Sequence, residues 1–355
     1  MEIKRIDTIA QFDALKSDWD RAYAEDPRAH VFVSWAWLRG WFEITPYQWF
    51  VLAAREDKDG PYLAFLPLAM RPMCIRGIVV LRELHMGGKP FADYTGFVSV
   101  PECEASALAA FGGYIRDRVA WEKFNLAEVL DSRLNVFLSQ FLGKGWKIEK
   151  RRPLSCPYIQ LPGSWNTHLQ QNMSKKRRHE MQRIFRRVEE LPGFRSTTST
   201  ENELKQHIDT LINLWEMRWG QMDGDVKSRY RHMFQHAFKH GLLCLRILWC
   251  GSIPLAALAT FADPVKSTFY VYSMAYNPRF ATQSPGKAIM GYNIRDAIEM
   301  GYSVYDFLLG GETYKYSFGA IERMTSNVVV VSKSFRTKVG GLLLWLRTLL
   351  KRGWR

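Results

Sequence analysis

The sequence predicts an α/β (α+β) fold of two lobes, each with a mixed, largely antiparallel sheet. A chain of 355 residues is longer than one ordinary hydrophobic core supports, which favours two lobes. Both halves contain strands joined by short turns, at 50–70 and 243–261, and helices surround each strand pair. Hydrophobic residues form 47% and aromatic residues 14% of the chain, which is enough to fill both cores.

The first lobe is predicted to span residues 1–160. The turn at 57–60 contains the Asp and Gly residues typical of a hairpin, and 87–90 must form a loop because of its glycines and proline. A proline-rich passage at 153–162 indicates the crossing into the second lobe. Helices are predicted at 9–24, 35–41, 103–119 and 132–142, and strands at 50–55, 62–70, 79–84 and 124–129.

The second lobe is predicted to span residues 161–332 and begins with the most basic helix of the chain, 174–190. An apolar stripe follows one face of that helix, and seven lysines and arginines occupy the remaining faces. Two more helices at 201–219 and 227–240 follow, then strands at 243–248, 253–261, 267–275, 304–308 and 328–331.

Residues 333–355 are predicted to form a separate basic, amphipathic helix. They contain seven lysines and arginines and no acidic residue, which is half of the chain's formal net charge of +14. The leucines of this helix can pack on the second lobe, or they can lie on anionic lipid with the cations at the headgroups.

Composition limits the partners and the compartment. The excess of 49 basic over 35 acidic residues favours anionic partners such as CoA phosphates, nucleotide sugars, nucleic acid or acidic lipid. The five cysteines are odd in number and form no C-x-x-C pair, so they indicate neither a disulfide framework nor a zinc site. The first residues lack the apolar core of a signal peptide, and no apolar run is long enough to span a bilayer, so we expect a cytoplasmic protein.

The segment 276–319 carries the chemistry that the sequence indicates most clearly. An apolar strand leads into a turn and then into a helix that Gly301 ends. The turn consists of Gln283, Ser284, Pro285, Gly286, Lys287 and Ala288. Pro285 suits the first helical turn, and Ser284 is predicted to cap the free amides. The helix N-terminus and its amides predict an anion site, where Gly286 lets phosphates approach the backbone.

The turn resembles the [Q/R]-x-x-G-x-[G/A] loop that binds the acyl-CoA pyrophosphate in GNAT N-acetyltransferases. A longer series of motifs is similar in order and spacing to the C-terminal half of the CelD/BcsL-type acetyltransferases, which are GNAT-like proteins of bacterial exopolysaccharide and cellulose biosynthesis related to the FemAB transferases. The series comprises Tyr276-Asn277-Pro278, Ser284-Pro285-Gly286, Gly301, Tyr305-Asp306-Phe307, Gly310, Tyr314-Lys315 and Phe318-Gly319. It departs from the family at Asn277, where Asp is expected.

The resemblance implies two tandem GNAT-like lobes with a cleft between them. The second lobe would bind acetyl-CoA or another acyl-CoA as co-substrate, and the first would face the acceptor. The resemblance also implies transfer of the acyl group to an amine or hydroxyl of a small-molecule or lipid-linked sugar, or of another cell-envelope or exopolysaccharide precursor. The residues matched to the donor site are Gln283, Ser284, Gly286, Lys287 and Ala288.

Acyl transfer needs a base for the attacking group and an acid for the departing thiolate. Asp93 and Asp306 are carboxylates beside family motifs, although Asp306 can instead hold loop amides. Tyr314 is the candidate acid, as the resemblance implies. Lys315 can neutralise a phosphate, polarise the carbonyl or form a salt bridge. The sequence does not single out one base.

Other interpretations stay open. Because some FemAB relatives take their acyl group from aminoacyl-tRNA, the basic helix at 174–190 can serve a tRNA donor, or it can be a solvated face. A catalytically silent scaffold at the inner face of the membrane is a further alternative. His232, His236 and His240 share one helical face, but no acidic ligands accompany them, so we expect a polar stripe and no metal site.

Overall fold

The protein is described here from a computed structural model, which covers the backbone of residues 1–352 and the side chains of these residues except 335 and 347–352. The chain divides into two compact units. The first contains Met1–Leu154 and the chain from Met324 onward, and the second contains Ser155–Arg323. Each unit has its own mixed sheet, so the predicted fold class is confirmed.

The first unit is built on long strands and an aromatic core. Its strands are β1 (Glu2–Ile6), β2 (Gln48–Arg55), β3 (Ala64–Ile75), β4 (Ile78–Met86), β5 (Val98–Ser99), β6 (Lys123–Val129) and β7 (Trp146–Arg151). Its helices are α1 (Ile9–Asp13), α2 (Lys16–Glu25), α3 (Trp35–Ile44), α4 (Glu104–Arg118) and α5 (Leu134–Leu138). Trp19, Trp37 and Trp41 are fully buried among these elements.

The second unit has a six-stranded sheet in the order β8-β13-β12-β11-β10-β9. Its strands are β8 (Tyr158–Gln160), β9 (Phe194–Thr198), β10 (Leu243–Cys250), β11 (Ile253–Asp263), β12 (Thr268–Tyr276) and β13 (Val304–Asp306). Its helices are α6 (Trp165–Asn172), α7 (Lys175–Glu189), α8 (Leu204–Trp219), α9 (Gly224–Lys239), α10 (Pro285–Glu299) and α11 (Thr313–Tyr316). Only the pair β12–β13 is parallel, and α10 makes the crossover between these two strands.

The last strand corrects the predicted division of the chain. β14 (Ser326–Ser332) pairs antiparallel with β6 and with β7, so it completes the first sheet in the order β1-β2-β3-β4-β6-β14-β7. The prediction that the second lobe runs to residue 332 is therefore wrong for this strand. Helix α12 (Phe335–Arg352) also belongs to the first unit, where it packs on β4.

The two sheets share a strand pattern. In the first unit β1-β2-β3-β4 are successive antiparallel neighbours, and β4 is parallel to β6. In the second unit β9-β10-β11-β12 are successive antiparallel neighbours, and β12 is parallel to β13. This common topology agrees with the two tandem lobes that the resemblance implies.

Candidate active site

The second sheet opens beside β12. Parallel pairing with β13 ends at Tyr270 and Asp306, whereas β12 continues to Tyr276. From Val271 onward the edge of β12 that faces away from β11 therefore has no strand partner in the described part of the chain. Such an edge offers backbone N–H and C=O groups to an extended ligand.

Helix α10 begins at this opening, but Ser284 does not cap it as predicted. Ser284 has left-handed backbone angles (φ 58°, ψ 48°), and its side chain makes no capping bond. Its carbonyl oxygen instead accepts the Lys287 and Ala288 amides at 3.0 and 3.1 Å. Of the Gly286, Lys287 and Ala288 amides at this helix N-terminus, only that of Gly286 makes no hydrogen bond among the described residues.

Gly286 lies directly on the last residues of β12. A Cβ atom at this position would be 3.2 Å from Cδ1 of Tyr276 and 3.4 Å from Sδ of Met274. The free amide, the positive end of the α10 dipole and the open edge of β12 therefore occupy one region. Gln283 precedes it, in the 3₁₀ turn Pro278–Gln283 that joins β12 to Ser284.

Helix α7 fixes the position of α10. Gly291 in α10 allows this packing, because a Cβ there would be 2.8 Å from Cζ of Phe185 and 2.9 Å from Sδ of Met181. The Phe185 ring stacks on Tyr292 at 4.4 Å between centroids. At the end of α7, Arg187 donates a 2.5 Å hydrogen bond to the Thr282 carbonyl, which ties the turn before α10 to the basic helix.

The basic face of α7 extends the positive region. Nζ of Lys287 contacts Oε1 of Glu180 at 2.7 Å, and this bond, with the charges of Arg183 and Lys176, lowers the pKa of Glu180. Glu180 lies in a groove of about 780 Å³. The groove is lined by Lys175, Lys176, His179, Glu180 and Arg183. Lys175, Lys176 and Arg183 make no ion pair within the described residues, so the groove has an excess of cations.

An aromatic and cationic cluster surrounds the end of β12. The Arg218 guanidinium lies 4.6 Å from the centre of the Tyr276 ring and 4.5 Å from that of Trp219. Burial raises the pKa of Tyr314 to about 12, and the charge of Glu312 adds to the rise while Arg218 opposes it. Tyr314 is therefore a neutral phenol at neutral pH and retains a proton to donate.

Asp306 is engaged inside the protein. It is fully buried at the end of β13, forms an ion pair with Arg323, and accepts the Leu308 amide at 2.8 Å. Leu308 has a positive φ of 58°, which the bond from its amide helps to hold. These contacts favour the interpretation of Asp306 as a residue that positions the loop after β13.

Lys315 is also committed to that loop. Its ammonium group donates to the Leu309 and Gly310 carbonyls and pairs with Oε2 of Glu312, each at 2.8 Å. The side chain is buried rather than on the surface. Its three bonds close the loop beside Tyr314, which orders the candidate acid.

Asp93 lies in the first unit, half-buried between Ala92 and the fully buried Tyr94. The loop that carries it is held by Lys89, whose Nζ contacts Oε2 of Glu128 at 2.8 Å and donates to the Ala92 carbonyl at 2.6 Å. The structure therefore groups Tyr314, Lys315, Asp306 and the α10 turn in the second unit and places Asp93 in the first.

Within the described residues, the first sheet has no opening that corresponds to the one beside β12 in the second sheet. Beyond the β4–β6 pairing, Thr95 bridges to Val129, and its amide donates to the Glu128 carbonyl at 3.0 Å. Helix α4 begins with Glu104, and Glu102 precedes it, where an anion would be repelled. The combination of an open strand edge and an anion-binding helix start is thus seen only in the second unit of the described chain.

Three residues of this region were not among the predicted site residues. Met274 and Tyr276 support Gly286, and Arg218 covers Tyr276. Tyr276 already belonged to the resemblance as the start of a motif, whereas Arg218 was not part of the series of motifs. No local pattern connects residue 218 to residue 276, because the contact depends on how α8 packs against β12.

Comparisons with known proteins concern one domain of the chain and its fold. Residues 175–316 match the family model of the acetyltransferase (GNAT) domain. No curated protein matches the chain. Among solved structures, FemX is 13% identical with a TM-score of 0.63, over 92% of this chain and 97% of FemX.

Two further solved structures cover nearly the whole chain. The C-terminal domain of a putative lysylphosphatidylglycerol synthetase from Agrobacterium fabrum is 10% identical, with a TM-score of 0.56 and coverage of 95% of both chains. A tandem GNAT protein from the clavulanic acid biosynthesis pathway is 9% identical, with a TM-score of 0.50, over 94% of this chain and 99% of that one. These likenesses show a tandem GNAT-like fold. The matched acetyltransferase (GNAT) domain lies in the second unit, which contains the α10 turn.

Proposed function

We propose that this protein transfers an acyl group from acyl-CoA to an amine or hydroxyl, with its donor site at the start of α10. The observation that carries the proposal is the free Gly286 amide at a helix N-terminus, beside the unpaired edge of β12. A diphosphate fits there because the amide and the helix dipole both favour negative charge.

The remaining parts of the donor have matching surfaces. An extended pantetheine arm can pair with the open edge of β12 as an additional strand. The phosphates meet Lys287, whose charge Glu180 only partly offsets because Lys176 and Arg183 act on the same carboxylate. Arg218 adds an exposed cation over Tyr276.

The reaction requires two proton transfers. The acceptor nitrogen or oxygen attacks the thioester carbonyl and gives up a proton, a new C–N or C–O bond forms, and the C–S bond breaks. Tyr314 supplies the proton to the departing thiolate, since its pKa of about 12 keeps the phenol protonated. Asp93 remains the proposed base, because Asp306 is held by Arg323 and the Leu308 amide.

The acceptor class rests on the resemblance to the CelD/BcsL-type proteins. We propose a sugar, free or lipid-linked, or another precursor of the cell envelope or of exopolysaccharide. Both amines and hydroxyls occur on such molecules, so N- and O-acylation are both within the proposal.

Calorimetric titration with acetyl-CoA and longer acyl-CoAs tests the donor site. We expect saturable binding of one acyl-CoA per chain, because Thr95 fills the corresponding opening in the first unit. Gly286→Glu places a carboxylate against Tyr276 at the proposed diphosphate position and should abolish binding. Gly224→Glu is the matched control, because it lies at the start of α9 with open space around it and should bind normally. A folded wild-type protein that binds no acyl-CoA would exclude this donor.

The cation-rich groove of α7 favours aminoacyl-tRNA as a second candidate donor. Its unpaired lysines and arginine suit a phosphate backbone, whose binding weakens steeply with salt. Under this alternative, Lys176→Gln combined with Arg183→Gln should weaken tRNA binding about tenfold and reduce its salt dependence. Arg186→Gln, on the same helix outside the groove, is the control. Absence of both acyl-CoA and tRNA binding would leave the silent scaffold.

A further inference from the structure

Helix α12 exposes an apolar stripe that nothing in the described structure covers. Val339, Leu342, Leu343 and Leu346 follow the i, i+3, i+4, i+7 spacing that normally turns one helix face into a core. Their exposed fractions are 39%, 56%, 42% and 42%, and the nearby Trp345 is 57% exposed. The apolar face of this helix is therefore exposed to solvent instead of packing in a core.

The opposite face fixes this orientation. Gly340 is buried against β4, where a Cβ would lie 2.5 Å from the Val80 carbonyl oxygen and 2.6 Å from Cδ2 of Leu81. Arg336 donates to the Val79 carbonyl at 3.4 Å and pairs with Glu122 at 3.4 Å. Since only glycine permits so close an approach, the helix cannot rotate its leucines inward without losing this contact.

The β3–β4 turn continues the exposed apolar surface. Ile78 is 70% and Val79 40% exposed, and Arg336 links α12 to Val79. Residues 71–82 contain three arginines and no acidic residue. Both parts of the chain therefore present apolar side chains and cations, and the Glu122 carboxylate that pairs with Arg82 and Arg336 is buried.

Charge decides which partner fits this surface. Residues 333–355 hold seven lysines and arginines and no acid, and Arg336 and Lys338 flank the stripe on α12. A second copy of the chain would bring two such segments together, and the like charges would repel. The partner must attract the cations and also accept the apolar side chains. An anionic bilayer does both, because its negative headgroups lie directly above an apolar interior.

We propose that α12 and the β3–β4 turn dock on the surface of an anionic lipid bilayer. Leu342, Leu346 and Ile78 enter the interface, and exposed cations such as Lys338 contact the headgroups. The mode is peripheral, because every helix in the described residues is too short or too polar to cross a membrane. This surface lies in the first unit, so the proposal stands apart from the donor site.

Vesicle co-sedimentation of the full chain tests the proposal. One set of vesicles contains phosphatidylcholine alone, and in the other phosphatidylglycerol replaces part of it. We expect binding to the second set that is at least about tenfold stronger and that weakens with salt. The variant Leu342→Gln/Leu346→Gln should lose about tenfold or more of that binding, since both side chains are exposed and the fold does not depend on them.

Two controls make the outcome decisive. Ile253→Gln/Val265→Gln removes two exposed apolar side chains in the second unit and should bind vesicles as the wild type does. Light scattering after size exclusion follows the oligomeric state of each variant. The proposal is overturned if the wild type ignores anionic vesicles, if the leucine variant binds undiminished, or if a dimer of the wild type dissociates in that variant.

Discussion

The Arg218 guanidinium lies over the Tyr276 ring, 4.6 Å from its centre, and so joins the end of α8 to the end of β12. Tyr276 in turn contacts the position where a Gly286 side chain would begin, and Arg218 acts electrostatically on Tyr314. One exposed cation therefore connects the proposed diphosphate position with the proposed acid.

Arg218→Gln should weaken acyl-CoA binding. The substitution removes a positive charge and a cation–π contact from the site, for which we expect about a five- to tenfold rise in the dissociation constant. Calorimetry at two salt concentrations measures it, and the difference between variant and wild type should shrink at high salt.

The control for this variant is another arginine of the same unit. Arg195 lies 4.8 Å over the Trp249 ring, so Arg195→Gln removes an equivalent pair elsewhere. If Arg218→Gln binds acyl-CoA as the wild type does, or if both variants bind equally weakly, Arg218 is not part of the donor site.

Tyr314→Phe should slow turnover without weakening donor binding. The phenol is the proposed acid, and its loss should lower kcat about a hundredfold while the acyl-CoA dissociation constant stays within about twofold. Tyr316→Phe, on the same short helix, is the control. Equal kcat values for Tyr314→Phe and the wild type would contradict the assignment.

The pH profile gives an independent test of the same residue. A group with a pKa raised to about 12 is protonated below that pH and loses its proton only above it. Tyr314 should therefore contribute no limb to the rate profile at neutral or mildly alkaline pH. A rate that falls between pH 8 and 10 in the wild type and not in Tyr314→Phe would show that its phenol titrates there.

Sequence rules located the α10 turn but not its geometry. Asn277, the departure from the family pattern, accepts the Arg279 amide at 3.1 Å, as an aspartate there could. Ser284 fails as a cap because it also ends the preceding turn, where its amide donates to the Ala281 carbonyl and its backbone is left-handed. A residue that caps a helix start with its side chain needs extended backbone angles. Ser284 therefore cannot end the preceding turn with left-handed angles and also cap α10 with its side chain.

The sequence pattern did not predict contacts between residues that lie far apart in the chain. Val328 and the three valines after it predict a buried strand, and such a strand forms as β14. β14 joins the first sheet because it fills the gap between β6 and β7. β6 lies about two hundred residues earlier in the chain, so no local pattern indicates this pairing. The ion pair between Asp306 and Arg323 could not be predicted for the same reason. A local sequence pattern shows which residues are charged but not which of them make contact.

Removing either partner of the Asp306–Arg323 pair should lower stability, by different amounts. Arg323→Gln leaves a fully buried carboxylate uncompensated, which should cost about 3 kcal/mol. Asp306→Asn leaves a partly exposed arginine and keeps an acceptor for the Leu308 amide, so about 1 kcal/mol is expected. Denaturant unfolding measures both.

Activity separates the two interpretations of Asp306. If it positions the loop, Asp306→Asn should retain most of the wild-type kcat under conditions where it is folded. The exposed pair Arg116–Asp117 is the control, since Asp117→Asn should change neither stability nor activity. A hundredfold loss of kcat in stable Asp306→Asn would make Asp306 catalytic.

His168 should make the protein less stable in mild acid. The ring is fully buried in α6, Nδ1 accepts from Nδ2 of Asn172 at 3.1 Å, and Nε2 has no partner among the described residues. Burial therefore lowers the pKa of His168 to about 4, from 6.5 in the unfolded chain. Because the unfolded state takes up the proton first, the free energy of unfolding is unaffected above pH 6.5 and falls as the pH drops from 6.5 to 4.

The loss across that pH window should be about 3 kcal/mol. His168→Gln keeps the size and polarity of the side chain but cannot titrate, so this part of the pH dependence should disappear while stability at pH 7 changes little. His179→Gln is the matched control, because this histidine lies in the open groove of α7. Denaturant unfolding at pH 7 and pH 5 decides the matter, and an equal fall in the wild type and in His168→Gln would show that another group causes the acid sensitivity.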